Sequence, residues 1–350
     1  MAIIYSRIVA ALALASLGVS AQAIVLDQID TFQDGTVASW AGGAAPTNIA
    51  TGGPAGVGDR YMKLSATQSN GPGSRLATIN LTQWIGNYTT AGVTVVELDM
   101  ANPNAVPLQM RAVLHGQLGT QWVSTQAVVL PANSGWRRVT FLIREADLTR
   151  TIGDESYAAV ASNPERFQLR HEVGSAGVNG TAQMGQLWLD NIGARNVATV
   201  RPSTLTRVAG HHISGVVSDL FSSDNSYVWG EFDLAADLIT PIIFRIEGTS
   251  PIANPTKIEM QFESAGDITQ RRQVIEMFNW QSLQWEFVAQ HFLSTIDGVT
   301  TVLITSNPGR FVQPGTGLMR TQLNYDEGAS EDLSRLTVRI DQAIWKITPP

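Results

Sequence analysis

The sequence contains no cysteine, and this absence excludes several kinds of chemistry at once. Disulfide bonds, thiolate catalysis and cysteine-based zinc sites all require that residue. Basic residues are also scarce, because 23 lysines and arginines are set against 30 aspartates and glutamates and leave a net charge of −7. An acidic chain does not attract phosphate backbones, so we expect no nucleic acid partner.

Long hydrophobic runs are missing from all of the sequence except its N-terminus. There, Arg7 precedes an apolar run over Ile8–Val19, and small residues follow at Ala21 and Ala23. This pattern is typical of a cleaved secretory signal peptide, here residues 1–23. No later segment reaches the roughly 20 apolar residues that a membrane-spanning helix requires. We therefore expect a secreted protein, extracellular or periplasmic, with no membrane span in the mature chain.

Long amphipathic helical patterns are also missing, and short alternating segments take their place. Val106–His115, Gln121–Leu130 and Thr256–Ser264 each alternate apolar and polar residues, and turn residues separate such segments. A period of two with turns about every 8–12 residues is typical of antiparallel sheets. The clearest helix-like segment is Arg144–Ile152. The sequence therefore predicts an all-β fold built from antiparallel sandwiches.

One five-residue motif occurs twice in the chain. Asn163–Phe167 reads NPERF, and Asn307–Phe311 reads NPGRF. An apolar alternating segment that contains an aspartate followed by an amide comes after each copy, at Leu187–Ile192 and at Val338–Ile344. Because the motifs recur in the same order, we interpret them as equivalent points in two copies of one topology. Solenoid arrays differ from this pattern, since their repeats are shorter.

A linker separates the two copies. Residues 193–204 combine a proline with short polar residues, which is typical of a domain boundary. We therefore predict a β-sandwich domain over residues 24–197 and a second over residues 201–350, the second being a diverged repeat of the first. Two domains of this size can bury hydrophobic cores without disulfide bonds.

Three segments of the first half carry a family resemblance. They are IDTFQDGTVASWAG at Ile29–Gly42, SGWRRVTFLI at Ser134–Ile143 and LWLDNIGA at Leu187–Ala194. In order and spacing they resemble the jelly-roll carbohydrate-binding modules and the wider galactose-binding-like family, although Gln33 stands where that family usually has an acidic residue. The resemblance implies a jelly-roll sandwich that binds carbohydrate.

The second half resembles a domain that recurs in exported bacterial proteins. The similarity lies in Ser214–Tyr227, Ile275–Val288 and Arg339–Trp345. This domain has no known activity, so the resemblance supports the fold and leaves the function open. Within the second segment, Trp280 and Trp285 flank a four-residue turn, and we expect them to stabilise their own hairpin.

Familiar catalytic motifs are missing from the sequence. It has no Gly-x-Ser-x-Gly elbow, no His-Glu-x-x-His segment and no phosphate-binding Gly-Lys-Ser/Thr loop. His171 lies in an apolar strand pattern, which favours a buried residue, and His211 and His212 would point to opposite faces of a strand. The carboxylates are too scattered to indicate a glycosidase pair. We therefore expect a protein that is not an enzyme, with an unrecognised polysaccharide hydrolase or lyase as an alternative.

Three aspartates are candidates for a structural calcium site. Asp30 and Asp34 lie in the opening segment, and the family resemblance implies that this segment lies beside Asp190 in the closing strand. Calcium prefers carboxylate and carbonyl oxygens, so a site here would join the two ends of the first domain. The alternative is that these acidic residues only begin turns and face solvent.

A polar sheet face in the first half is a candidate glycan-binding site. The alternation of three strand segments assigns this set of side chains to an outer face: Gln109, Arg111, Trp122, Gln126, Arg170 and Glu172. Sugar C–H faces pack on indole rings, and sugar hydroxyls pair with amides, arginines and carboxylates. An ordinary solvated sheet face would show a similar alternation.

From these observations we predict a secreted, non-catalytic protein that binds a polysaccharide or oligosaccharide through the first domain. A structural or surface-assembly protein that makes protein contacts is the alternative from a different class.

Overall fold

The computed structural model describes residues 23–71, 73–235, 238–269, 271–326 and 337–350. Apart from Ala23, the predicted signal peptide lies outside these residues. Strands dominate, and the helices of the described segments span at most two turns, so the fold is all-β as predicted. Within these segments, no helix is both long and apolar enough to cross a membrane.

The first half consists of short strands and a few helical turns. The strands are β1 (Ile29–Asp30), β2 (Trp40–Ala41), β3 (Thr47–Ile49), β4 (Tyr61–Ala66), β5 (Ala77–Asn80), β6 (Val95–Asn102), β7 (Leu108–His115), β8 (Gln121–Ser124), β9 (Val128–Leu130), β10 (Ser134–Leu142), β11 (Leu148–Ile152), β12 (Arg166–His171) and β13 (Gly185–Arg195). The helices are α1 (Tyr88–Ala91), α2 (Tyr157–Ser162) and a 3₁₀ turn at Glu145–Asp147.

The helix expected at Arg144–Ile152 is wrong over most of its length. A single 3₁₀ turn occupies its start, and β11 follows and pairs with β8. The β-branched residues Thr149, Thr151 and Ile152 favour this strand, because their branched side chains fit a pleated surface better than a helix.

The strands of the first half form two antiparallel sheets around one core. Sheet A has the order β10-β6-β13-β4-β3, with β1 also paired to β13. Sheet B has the order β11-β8-β7-β12-β5-β2, with β9 also paired to β7. Leu64 and Leu189 from sheet A and Met110 and Phe167 from sheet B are all buried in the shared hydrophobic cluster. The half is therefore a sandwich of two sheets.

The second half is also a sandwich of two antiparallel sheets. Its strands are β14 (Ala198–Val200), β15 (Thr204–Ala209), β16 (His211–Ser214), β17 (Val228–Glu231), β18 (Asp233–Ala235), β19 (Leu238–Thr240), β20 (Ile242–Thr249), β21 (Lys257–Gly266), β22 (Arg272–Asn279), β23 (Gln284–Phe292), β24 (Gly298–Ile304), β25 (Leu318–Asp326) and β26 (Thr337–Thr348). Sheet C has the order β16-β17-β26-β21-β24, with β14 paired to β26, and sheet D has the order β15-β20-β25-β22-β23. The strands β18 and β19 pair with each other, and 3₁₀ turns lie at Val217–Leu220 and Pro308–Phe311.

The two halves share one strand topology. Sheets A and C match strand for strand, and so do sheets B and D without β9 and β11. Asn163 and Asn307 precede the equivalent strands β12 and β25, and Asp190 and Asp341 lie on the equivalent strands β13 and β26 beside a register shift. The local backbone conformation differs between the two copies of the motif. Asn163 ends a helix, whereas Asn307 has a left-handed conformation and begins a 3₁₀ turn. Descent by duplication stays a prediction.

Each half has its own hydrophobic core. One cluster draws its buried residues from Ile24 to Ala194, and the other from Ala198 to Ile347. The predicted domain limits, residues 24–197 and 201–350, stay a prediction, since separate folding of the halves is a property of the isolated pieces.

Candidate functional site

The predicted glycan face of the first half has the right strand neighbours. Arg111 on β7 and Arg170 on β12 are directly opposite each other in sheet B, and both side chains are on its outer face. Yet each arginine is only 2% exposed, and Glu172 is only 3% exposed. Gln109 is partly buried on the same face, where its side-chain carbonyl accepts a hydrogen bond from the backbone N–H of Gly174.

The loop after β12 covers these charged side chains. Arg170 donates to Glu172 Oε2 at 3.0 Å and to the carbonyl of Gly177 at 2.6 Å, and Arg111 donates to the carbonyl of Gly174. Arg111 Nε lies 3.7 Å from the same Glu172 oxygen. Desolvation by burial lowers the pKa of both arginines, and the Glu172 charge opposes that shift. The centre of this face is an internal ion cluster that a ligand cannot reach in this conformation.

The predicted outward orientation of Trp122 is wrong. Trp122 pairs with Leu114, a core residue of β7, so its ring enters the core and is 9% exposed. Its indole N–H donates to the carbonyl of Glu155, and its ring packs edge-on against Tyr157. The segment Gln121–Leu130, which we expected to form one strand, forms two separate strands, β8 and β9. The exposed Gln126 lies in the bend between them. Alternation counted through that bend therefore assigned Trp122 to the wrong face.

Asp30 has a structural role in the first core. Its Oδ2 accepts hydrogen bonds from the indole N–H groups of Trp40 at 2.7 Å and Trp84 at 2.8 Å. Burial raises the pKa of this carboxyl, and the indole hydrogen bonds oppose the shift. Asp30 thus connects the opening strand to two buried tryptophans.

The three aspartates do not form the expected calcium site. Strand β1 does pair with β13, so the opening segment lies beside the closing strand. However, Asp34 accepts from Thr36 in its own turn, and the described ranges contain no group of three or more histidines or acidic residues that could hold a metal. Asp190 is fully buried with one oxygen unpartnered, and burial raises its pKa to about 8. Calcium binding by these three residues therefore stays an untested prediction.

The outer face of sheet D carries a site that the sequence reasoning missed. Four strands bring Arg245, Gln322, Glu276 and Phe287 into one row across the sheet, because each residue is the register partner of the next. Gln322 Nε2 lies 3.5 Å from Glu276 Oε2, and Phe287 at the end of the row is 57% exposed. Arginine, amide, carboxylate and an exposed ring thus lie along one line.

Aromatic rings occupy the neighbouring rows of the same face. The Phe278 ring lies 4.8 Å from the Trp280 ring and 5.5 Å from the Trp285 ring between centroids. The guanidinium of Arg245 lies 5.2 Å from the centroid of Trp285, and that of Arg320 lies 5.0 Å from the centroid of Trp280. The two tryptophans therefore pack on Phe278 and on arginines, and form a partly exposed aromatic surface.

Three side-chain polar atoms of this face are buried without hydrogen-bond partners. Among the residues that the structure describes, Arg245 Nε and Asn324 Oδ1 are buried without a partner, and Trp280 Nε1 is in the same state. An unsatisfied buried donor or acceptor costs about 1–3 kcal/mol. The face combines partly exposed rings with the partly exposed polar side chains of Arg245, Glu276 and Gln322.

No family model matches this chain, and no curated protein matches it. The chain is similar to several solved carbohydrate-binding modules, the class that the first half resembles in sequence. The tandem CBM22 domains of Paenibacillus barcinonensis Xyn10C are 11% identical, with 94% of this chain and 99% of that chain covered and a TM-score of 0.29. The family 11 module of Clostridium thermocellum, in complex with a β-1,3-1,4-mixed-linked tetrasaccharide, is 13% identical over 49% of this chain and 96% of that one, with a TM-score of 0.33. TmCBM61, in complex with β-1,4-galactotriose, is 10% identical over 40% of this chain and 85% of that one, with a TM-score of 0.26. These scores are below 0.5, so function is inferred from the side chains of this chain alone.

Proposed function

We propose that the protein is an exported, non-catalytic glycan-binding protein and that the outer face of sheet D is its binding surface. The observation that carries this proposal is the group of exposed and half-buried rings, Phe287, Trp285 and Phe278, on the same face as the polar row of Arg245, Gln322 and Glu276. A surface of this kind offers a sugar both an apolar support and hydrogen-bonding groups.

The physical argument follows the two sides of a pyranose ring. Its C–H face packs on an aromatic ring and removes apolar surface from water. Its hydroxyl groups then pair with Arg245, Gln322, Glu276 and Asn324, which lie on adjacent strands within reach of one ligand.

The first half is a weaker candidate for the same function. On the outer face of sheet B, the arginines and the glutamate are buried against one another and the covering loop, and Trp122 belongs to the core. Gln109 and Gln126 remain accessible there, but they lie without the aromatic ring that a sugar would need. The sequence predicted glycan binding through the first half. We instead propose that the second half binds the glycan.

Affinity electrophoresis on soluble polysaccharides tests this proposal. The gels would contain mixed-linkage β-glucan, xylan or β-1,4-galactan, so that glucose, xylose and galactose polymers are each represented. We expect at least one gel to retard the full chain, and we expect Trp285→Ala and Arg245→Ala each to weaken binding about tenfold or more. Trp229→Ala removes a half-buried indole from sheet C and should leave retardation unchanged.

Melting temperatures separate loss of binding from loss of folding. Trp285 packs on Phe278, so its replacement can lower stability, whereas Arg245→Ala removes a side chain that has no carboxylate partner among the described residues. A folded Arg245→Ala variant with wild-type retardation would contradict the proposal. So would a wild-type protein that passes through every gel without delay.

A further inference from the structure

The outer face of sheet A carries a group of side chains that the sheet D surface does not include. On β4, Met62 and Leu64 belong to the core, so Lys63 between them points to the outer face. On β13, Leu189 belongs to the core, so Trp188 before it points to the outer face as well. Lys63 and Trp188 are register partners, and their side chains therefore lie next to each other.

Three aromatic rings pack together on this face. The Tyr61 ring lies 5.2 Å from the Trp136 ring and 5.3 Å from the Trp188 ring between centroids. Tyr61 is 6% exposed, whereas both tryptophans are partly exposed. The Trp136 indole N–H donates to the carbonyl of Gly52 at 2.9 Å. The Trp188 indole N–H donates to the side-chain oxygen of Gln186 at 3.1 Å. These hydrogen bonds hold both indoles in place, so a ligand that packs on them immobilises little that is free.

Three hydrogen-bond donors beside these rings have no partner among the described residues. Ser65 and Gln186 are register partners in the row next to that of Lys63 and Trp188. The Lys63 ammonium, the Ser65 hydroxyl and the side-chain N–H groups of Gln186 bond to no residue that the structure describes, and all three residues are partly exposed. The two rows are about 7 Å apart along the strands, so one small ligand can reach both.

We propose that this face of sheet A is a second binding site and that it takes an oligosaccharide. Because the free groups of Lys63 and Gln186 can only donate, the ligand must present acceptor oxygens beside an apolar face. A pyranose ring presents both, since its C–H face packs on the Trp188 indole while its hydroxyl oxygens accept from the donors. This inference rests on the proposed function for the class of ligand, but the two surfaces have no residues in common.

Calorimetric titration of the full chain and of its Arg245→Ala variant tests this second site. The probes are cellotetraose, xylotetraose and β-1,4-galactotetraose, which represent glucose, xylose and galactose chains. Arg245→Ala weakens the sheet D surface, so binding through sheet A remains in that variant. We expect at least one of the three probes to bind it.

Further substitutions in the Arg245→Ala chain localise the remaining binding. Trp188→Ala should weaken it about tenfold or more, and Lys63→Ala about threefold to tenfold. Gln186→Glu keeps the acceptor for the Trp188 indole and removes the free donor, so it should weaken binding about threefold to tenfold without lowering the melting temperature. Lys346→Ala removes a lysine from sheet C and is the matched control, which should leave the affinity unchanged.

The outcomes separate this inference from the sheet D proposal. An Arg245→Ala variant that binds none of the three probes would overturn the sheet A site, and the sheet D proposal would stand if the wild type binds one of them. Folded Lys63→Ala and Gln186→Glu variants with unchanged affinity would also overturn the sheet A site. Wild-type affinity in Arg245→Ala, together with loss of binding in Trp188→Ala and Lys63→Ala, would support the sheet A site and refute the sheet D surface.

Discussion

Replacement of Asp190 by asparagine should stabilise the protein at neutral pH and not at acidic pH. Asp190 is fully buried on β13 directly opposite Asp99, and one of its oxygens has no partner in the described part of the chain. Burial is the main cause that raises its pKa from 3.8 to about 8, and the nearby carboxylates of Asp59 and Asp99 add to the shift. The folded protein therefore keeps this carboxyl protonated where the unfolded chain does not.

The sign and size of the effect follow from proton linkage. Between about pH 4 and pH 8 the folded state binds one more proton than the unfolded state, so stability falls as pH rises. The slope is about 1.4 kcal/mol per pH unit, or roughly 3 kcal/mol between pH 5 and pH 7. Asparagine has no proton to lose, so the variant keeps its stability as the pH rises. The stability advantage of Asp190→Asn over wild type should therefore widen by roughly 3 kcal/mol between pH 5 and pH 7.

Scanning calorimetry of wild type and variant at pH 5 and pH 7 measures this difference. For a domain of this size, 1 kcal/mol moves the melting temperature by about 2–4 °C, so the gap should widen by roughly 6–12 °C. Asp341→Asn is the matched control at the equivalent position of sheet C. Both oxygens of Asp341 accept backbone N–H groups, from Asp224 and Asn225. Burial raises the pKa of Asp341 as well, but these hydrogen bonds oppose the shift, so the gap between wild type and Asp341→Asn should widen less with pH than the gap for Asp190→Asn.

Two results would refute this reasoning. One is an equal gap between wild type and Asp190→Asn at both pH values, which would mean that Asp190 is ionised in the folded state. The other is a gain in melting temperature with millimolar Ca²⁺ that Asp190→Asn abolishes. A bound ion in hundredfold excess over its dissociation constant stabilises by roughly 2.7 kcal/mol, so this outcome would be easy to detect and would restore the calcium hypothesis.

The remaining predictions concern the first half. Trp122→Ala should lower the free energy of unfolding by about 3–5 kcal/mol, because it empties a core position, whereas Leu118→Ala at an exposed position should change it by less than about 0.5 kcal/mol in urea denaturation. Glu172→Gln should cost about 3–5 kcal/mol by leaving two buried arginines without their counter-charge. Its control, Glu165→Gln, breaks an exposed pair and should cost less than about 1 kcal/mol. Unchanged urea midpoints for Trp122→Ala or Glu172→Gln would show that these side chains are solvated and not buried.

Most of the fold could be predicted from the sequence. The period of two in the strand segments fixed the all-β class, and the repeated Asn-Pro-x-Arg-Phe motif indicated two halves with one topology. These signals are local or repeated, so they survive without knowledge of which strands pair. The helix expected at Arg144–Ile152 failed because pairing with β8 decided that segment.

The position of the candidate site could not be predicted in the same way. The outward residues of the second half, such as Arg245 and Glu276, follow the same alternation and were available to the same reasoning. Alternation does not say that these two residues lie in one row with Gln322 between them, because that depends on strand order and register.

The sequence by itself determined the class of fold and the chemical types of side chain on each strand, because these depend on residues close together in the chain. The repeated motif indicated the two halves. Only the tertiary structure decided which polar faces are open. The register of β8 against β7 placed Trp122 in the core, and the loop after β12 covered Arg111 and Arg170. Both outcomes depend on contacts between strands and loops that are distant in sequence, and those contacts settle whether a polar row is a binding surface or an internal ion cluster.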